Sequence, residues 1–312
     1  MSLIEQAANR LEQLRKAGVE MPAEPQIASS SGGSASVDRG SGDVQPPQVS
    51  SPIPTSDSRT NRVSLDLEAL AAAGFITPKM PRAQISDEYR VIKRPLIDNA
   101  MGKGAAPVAN GNLIMVTSAV PGEGKTFTAI NLAMSIAMER DTTVMLVDAD
   151  VANPSVLRAL GLPPGPGLLD VLVNNSIDLA AVLLKTDVEK LTVLPAGTQH
   201  PQATELLASD AMVRLLDDMA KRYDDRIIIF DSPPLLVTTE AKELASHMGQ
   251  IVVVTRAEKT LHSQLKQALA AIDACPIKLM VLNQASRDPM GSYGYGYGYG
   301  YGYGHDRRAS EG

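Results

Sequence analysis

The sequence predicts an α/β fold, a mostly parallel sheet flanked by helices on both faces, on three observations. Six short β-rich runs, bounded by turn residues or charges, alternate with helical segments after residue 101. Such alternation needs crossover helices, which cover both faces of a parallel sheet. One run enters a glycine-rich loop and two end in aspartates, so polar residues collect at strand carboxyl ends, where open sheets of this kind bind ligands.

Taken in order, residues 3–16 place Ile4, Ala7, Ala8, Leu11 and Leu14 at helical spacing with charges between them. Segment 1–18 is therefore read as an amphipathic helix that docks on a partner or another copy, or packs back on its own domain. From Val19 to Arg62, 20 of 44 residues are Ser, Gly or Pro and large apolar side chains are nearly absent. Burial there does not offset the entropy of ordering, and 19–62 is read as a disordered linker. Residues 63–101 form a helical lead-in. Leu65, Leu67, Leu70 and Ala71 precede a break at Gly74, and a second helix spans Ile85 to Met101. The main domain covers 102–290, with strands expected at Leu113–Thr117, Thr143–Val147, Leu191–Leu194, Arg226–Phe230, Ile251–Thr255 and Ile277–Leu282. Residues 291–312 form a flexible tail.

Twenty-nine basic residues against 35 acidic, a net charge of −6, supply no general electrostatic reason to expect a nucleic-acid partner. The single cysteine, Cys275, has no companion for a disulfide or a Cys-rich metal site and reads as a small buried apolar residue. His200, His247, His262 and His305 lack metal-ligand spacing. No run approaches the roughly 18–20 apolar residues of a bilayer-spanning helix, and Met1–Gly18 carries Glu5, Arg10, Glu12, Arg15 and Lys16 instead of a signal-peptide core. A cytoplasmic protein that reaches the membrane only through another protein is expected.

The strand Leu113–Thr117 runs into Ser118-Ala119-Val120-Pro121-Gly122-Glu123-Gly124-Lys125-Thr126, followed by a helical stretch from Phe127 to Met138. Strand, loop and helix is the context a phosphate-binding loop requires, and it makes the expected fold P-loop NTPase-like. Gly122 and Gly124 let backbone N–H groups curl around phosphate oxygens, and the following helix adds its positive end. Lys125 can reach the β and γ phosphates, and Thr126 can offer its hydroxyl to Mg²⁺. Pro121 to Phe127 are thus candidate ATP contacts, although Ala119 stands where the usual pattern has its first glycine. The alternative is a glycine-rich turn with a helix-capping threonine.

Two further strands end in Asp148-Ala149-Asp150 and Asp231-Ser232-Pro233-Pro234. A parallel sheet brings these three carboxylates beside the loop, where a divalent cation would supply the missing counter-charge. Helix capping is the alternative for each of them. Asn283, ending the final strand, is a candidate for the adenine edge, and Arg256 either reaches phosphate or forms a surface ion pair.

These residues resemble the bacterial tyrosine kinases that carry Walker A, Walker A′ and Walker B motifs and accompany polysaccharide export. The likeness runs from about Ala83 to the C-terminus, and the start Ser2-Leu3-Ile4-Glu5-Gln6 is similar to the branch tied to exosortase-associated exopolysaccharide loci. The resemblance implies that Ser118–Thr126 is Walker A, that Val147–Asp150 belongs to Walker A′ and that Ile227–Asp231 is Walker B. It also implies that Lys125 holds phosphates, that Thr126 and Asp231 serve Mg²⁺, and that Asp148 and Asp150 share metal and base duties, without saying which aspartate is the base. A membrane-anchored activator of the polysaccharide co-polymerase type, which determines chain length and recruits the chain to the inner face of the plasma membrane, is implied as partner. So is a homo-oligomer, with a ring as one form. Two departures stand out. Val151-Ala152-Asn153-Pro154 replaces the arginines often found after Walker A′. A Glu, Arg, Arg assembly pattern at three-residue spacing becomes Asp87, Arg90 and Lys93, which reads equally as a solvated helix face.

After the last strand, Tyr293, Tyr295, Tyr297, Tyr299, Tyr301 and Tyr303 alternate with glycine and account for six of the eight tyrosines. Strict glycine alternation offers no core partners and a large ordering cost, so an exposed row of phenols is expected. They are candidate phosphoacceptors, or else a low-complexity associating segment. Roughly ten residues separate the last strand from Tyr293, at most about 35 Å of extended chain. Each phosphate would add about −1.5 to −2 charges, enough in total to loosen an oligomer. Two rival readings use the same motifs, a positioning ATPase of the MinD/ParA type and a nucleotide-gated scaffold of a secretion complex. Positioning ATPases usually have an extra lysine at the place of Val120 and no tyrosine tail.

Overall fold

In the computed structural model, residues 61–79, 83–174, 176–222 and 225–285 are described. The expected N-terminal helix, nearly all of the linker, the tyrosine tail and His305 lie outside them.

Eight strands form one sheet: β1 (Asn61–Val63), β2 (Leu113–Ser118), β3 (Thr143–Asp148), β4 (Leu184–Thr186), β5 (Leu191–Leu194), β6 (Arg226–Asp231), β7 (Gln250–Arg256) and β8 (Ile277–Asn283). Their order is β1-β4-β5-β3-β6-β2-β7-β8. The six expected strands are mutually parallel. The β4–β5 pair is antiparallel and β1 is parallel to β4, so the two strands that the pattern missed run against the rest.

Burial follows the two-residue period of a sheet covered on both sides. Leu113, Met115, Ile228, Phe230, Ile251 and Val253 face one core, and Ile114, Val116, Ile227, Ile229, Val252 and Val254 face the other. The first core is closed by α5 (Leu168–Val173), α6 (Leu179–Val182), α7 (Ala203–Leu207), α8 (Asp210–Arg222), α9 (Glu240–Ser246) and α10 (His262–Ala271). The second is closed by α1 (Leu67–Ala72), α2 (Gln84–Ala100), α3 (Lys125–Ala137) and the short α4 (Val156–Ala159). Every residue of α3 from Thr128 to Ala137 is buried, because the sheet lies on one side of it and α2 on the other.

Helix α2 explains where the Asp87, Arg90, Lys93 pattern goes. Tyr89, Lys93 and Leu96 point inward. The Lys93 ammonium, only 3% exposed, is 2.8 Å from Glu139 Oε1 and donates to the Ser135 carbonyl at 2.5 Å. Arg90 instead pairs with Asp87 on the surface. The third charge of the assembly pattern is thus spent inside its own subunit, which splits the pattern between core and surface. Cys275 is buried as expected, and burial raises its thiol pKa.

Candidate functional site

β2, β3 and β6 are neighbours in register, with Val116 opposite Asp231 and Asp231 opposite Asp148, so their carboxyl ends open at one point of the sheet edge. The loop after β2 turns there. Gly122 and Gly124 have φ of 82° and 97°, which glycine adopts freely and other residues do so at a cost. A Cβ on Gly124 would stand 2.0 Å from Asn283 Nδ2. Ala119, at the place of the usual first glycine, is absent from the positive-φ residues and fully buried, so its methyl group is accommodated.

The loop is held by its own chain. Glu123, 2% exposed, accepts the Val120 N–H at 2.8 Å and the Thr260 hydroxyl, while its carbonyl accepts the Asn283 amide at 2.9 Å. Thr117 donates to the Pro233 carbonyl at 2.8 Å and Ser232 to the Val116 carbonyl at 2.9 Å. These bonds tie the start of the loop to the segment after Asp231. Phe127, the third residue of α3, packs on Phe75 with ring centroids 5.0 Å apart and planes tilted by 37°.

The charged residues converge. Lys125 Nζ is 2.7 Å from Asp150 Oδ2. Thr126 Oγ1 donates to Asp231 Oδ2 at 2.7 Å and lies 2.9 Å from Ser155 Oγ. Asp148 Oδ2 accepts the Ser155 and Val156 N–H groups at 3.0 and 2.9 Å, and Asp150 Oδ1 accepts Asn153 N–H at 3.2 Å. Asp148 therefore does serve the first turn of α4 in part, whereas Asp231 bonds a side chain and no helix N-terminus. Asn283 spends its amide N–H on the loop, and the Arg256 backbone N–H bonds Thr260 Oγ1.

Asp148 Oδ1 and Asp231 Oδ1 are buried without a hydrogen-bond partner. Burial pushes the Asp148 carboxyl up to about 6, helped by Asp150 and opposed by the two N–H bonds. It pushes Asp231 up to about 7, against the pull of Lys125 and Thr126. Burial acts to lower Lys125, but the surrounding carboxylates outweigh it and raise its pKa. Two orphaned carboxylate oxygens beside a threonine hydroxyl have the donor chemistry that Mg²⁺ takes, since this ion is bound by one or two carboxylates plus substrate phosphates and water. Among the described residues no group of three or more His, Cys, Asp or Glu side chains is arranged to hold a metal by itself. The residues fit the ion when phosphate completes its shell.

A cleft of about 970 Å³ opens next to Asp148, lined also by Pro154, Leu157, Arg158, Pro166 and Pro195. Of the three aspartates only Asp148 lines it. Sequence reasoning did not single out Ser155, Thr260 or Asp170, which braces this cleft. Only Ser155, just ahead of a helix, carried a capping signal. No helix of the described residues is long and apolar enough to cross a membrane.

Residues 111–280 match the model of the AAA domain family. The chain is 34% identical over 220 residues to the tyrosine-protein kinase YwqD of Bacillus subtilis, covering 69% of this chain and 87% of that protein. It is 33% identical over 185 residues to the tyrosine-protein kinase ptk of Acinetobacter johnsonii, covering 59% of this chain but only 25% of that one. Among solved structures, the chimerical protein CapA2B2 superposes with a TM-score of 0.58 at 27% identity, over 73% of this chain and 94% of that one. The fold is that of the P-loop NTPase-like bacterial kinase domains.

Proposed function

Because the chain belongs to the AAA domain family and to the bacterial tyrosine-protein kinases, we propose that it transfers the γ-phosphoryl group of Mg-ATP to Tyr293, Tyr295, Tyr297, Tyr299, Tyr301 and Tyr303 of its own tail or a neighbour's. We further propose that this modification regulates exopolysaccharide synthesis and export in a homo-oligomer, under a membrane-anchored activator of the chain-length-determinant type. The observation that carries the reading is the Thr126 hydroxyl 2.7 Å from Asp231, in a cluster with Lys125 and two unpaired carboxylate oxygens.

In this reading the backbone of Gly122 to Lys125 cradles phosphate, and Lys125 exchanges Asp150 for the transferred group. Thr126 and Asp231 would hold Mg²⁺, which neutralises charge on the phosphate oxygens. A phenol of pKa about 10 is roughly 0.1% ionised at neutral pH, so a base near its proton helps it attack. Asp148 suits that role, since Asp150 is engaged by Lys125 and Asp231 by Thr126, while Asp148 lines the cleft and its buried Oδ1 has no hydrogen-bond partner. Asp150 then steers Lys125. Asn283 and Glu123 keep the loop in its binding conformation.

The test is incubation of the purified full chain with Mg-ATP, followed by mass spectrometry of the tail. Phosphate on the six tyrosines, lost in Lys125→Met, supports the kinase. Phosphate release without tyrosine labelling would favour a positioning ATPase instead.

A further inference from the structure

We infer that the cleft beside Asp148 is the acceptor groove, and that it selects a ribbon in which tyrosine alternates with single glycines and holds it in several equivalent registers. The inference rests on the kinase reading above and goes on to what that site recognises.

The cleft is built before any ligand arrives. Leu168 and Leu169 N–H groups donate to the Pro195 and Ala196 carbonyls at 2.8 and 3.0 Å. Asp170 Oδ2 accepts the N–H groups of Gly167 at 2.7 Å and Thr198 at 3.0 Å, clamping two wall segments together. A Cβ on Gly167 would lie 2.0 Å from the Pro195 carbonyl oxygen, so the walls meet as closely as backbone allows. Prolines stiffen them further through fixed φ. Little ordering is left for the ligand to induce. Asp148, 1% exposed with Oδ1 unpaired, is the residue that the groove shares with the cluster around Lys125 and Thr126.

The wall chemistry suits neutral rings. Four prolines and two leucines line the cleft, and its charged residues are one anion, Asp148, and one cation, Arg158. Peptides of either net charge gain nothing there, whereas proline and aromatic surfaces are complementary and tyrosine brings large area at low entropic cost. In an extended chain successive side chains point to opposite faces. Alternate tyrosines therefore share one face at intervals of about 6.7 Å, and the glycine face lets the backbone lie flat against a wall. A slip of two residues restores every contact, because glycine-rich strands specify register weakly. One groove thus presents each phenol in turn. At each presentation the phenolic oxygen bonds to the γ-phosphorus as its bond to the β,γ-bridging oxygen breaks. ADP leaves, and the phenolic proton is released to solvent.

Two measurements on the full chain test this. Gln199→Trp and Pro164→Trp fill the groove from exposed positions. Each should lower tail labelling by about tenfold or more while leaving binding of a fluorescent ATP analogue unchanged. The unaltered chain should phosphorylate a synthetic peptide of six tyrosines spaced by single glycines at several positions, with kcat/KM about tenfold above peptides spaced by two glycines or by single valines. Equal rates on the three peptides, or filled variants that label like the parent, overturn the inference and leave the kinase reading intact. A parent chain that labels no tyrosine overturns both.

Discussion

Lys125 Nζ stands 2.7 Å from Asp150 Oδ2, and its charge also acts on Asp148 and Asp231. Removing that ammonium leaves buried carboxylates uncompensated. Lys125→Met should therefore abolish tail phosphorylation and also destabilise the chain by about 3 kcal/mol at pH 8, the scale of a broken buried pair. Denaturant melts at pH 8 and pH 5.5 check this, with a smaller loss expected at the lower pH because protonation relieves the repulsion.

The pH dependence of the nucleotide-free chain follows from the same carboxylates. Asp148 and Asp231 have pKa values raised from 3.8 to about 6 and about 7, so the folded state binds more protons than the unfolded one. Stability from these groups is fully present below about pH 4 and is lost as pH rises through 6 to 7. The melting temperature should rise as pH falls from 8 toward 5.5. Saturating Mg²⁺ and a non-hydrolysable ATP analogue should reverse that slope, since bound cation favours the ionised form; an unchanged slope would count against metal at these residues.

The bond from Asn283 to the Glu123 carbonyl braces the loop from the far side of β7. Asn283→Ala should cost about 1 kcal/mol of stability and weaken ATP binding several-fold. Gly124→Ala should cost more, about 1–3 kcal/mol, through its φ of 97° and the collision with Asn283. The double variant should recover only the collision, which a double-mutant cycle measures.

Lys93 divides folding from assembly. Lys93→Met should lower stability by about 1–3 kcal/mol, because it takes the ammonium from the Ser135 carbonyl and leaves Glu139 with the longer Arg94 contact at 3.7 Å. Asp87→Ala and Arg90→Ala, on the exposed face, should leave the unfolding free energy within about 0.5 kcal/mol. Light scattering beside the melts separates the two effects: a loss of oligomer at unchanged stability in the surface variants would assign assembly to Asp87 and Arg90 alone.

Where periodicity and turn chemistry are local, the fold was legible. The six parallel strands begin and end within a residue or two of expectation, and both acidic strand ends do flank the loop. Strands β1 and β4 were missed because each has three residues and no apolar run. They exist through distant partners, such as Asn61 on the Ala181 carbonyl and Ser64 on Asp187. In the site, residue types gave the phosphate loop and its carboxylates. The inward turn of Lys93, the Thr260–Glu123 bond and the Asp170 clamp depend on residues 28 to 137 positions away, which no short window of sequence joins.

The strand that ends in Asn283 is also the one from which the chain leaves for its tyrosines. Tension on that exit would meet, at Asn283, both the Ala257 N–H bond to its carbonyl and its own amide bond to Glu123. Mechanical load at the C-terminus is thereby coupled to the shape of the phosphate loop.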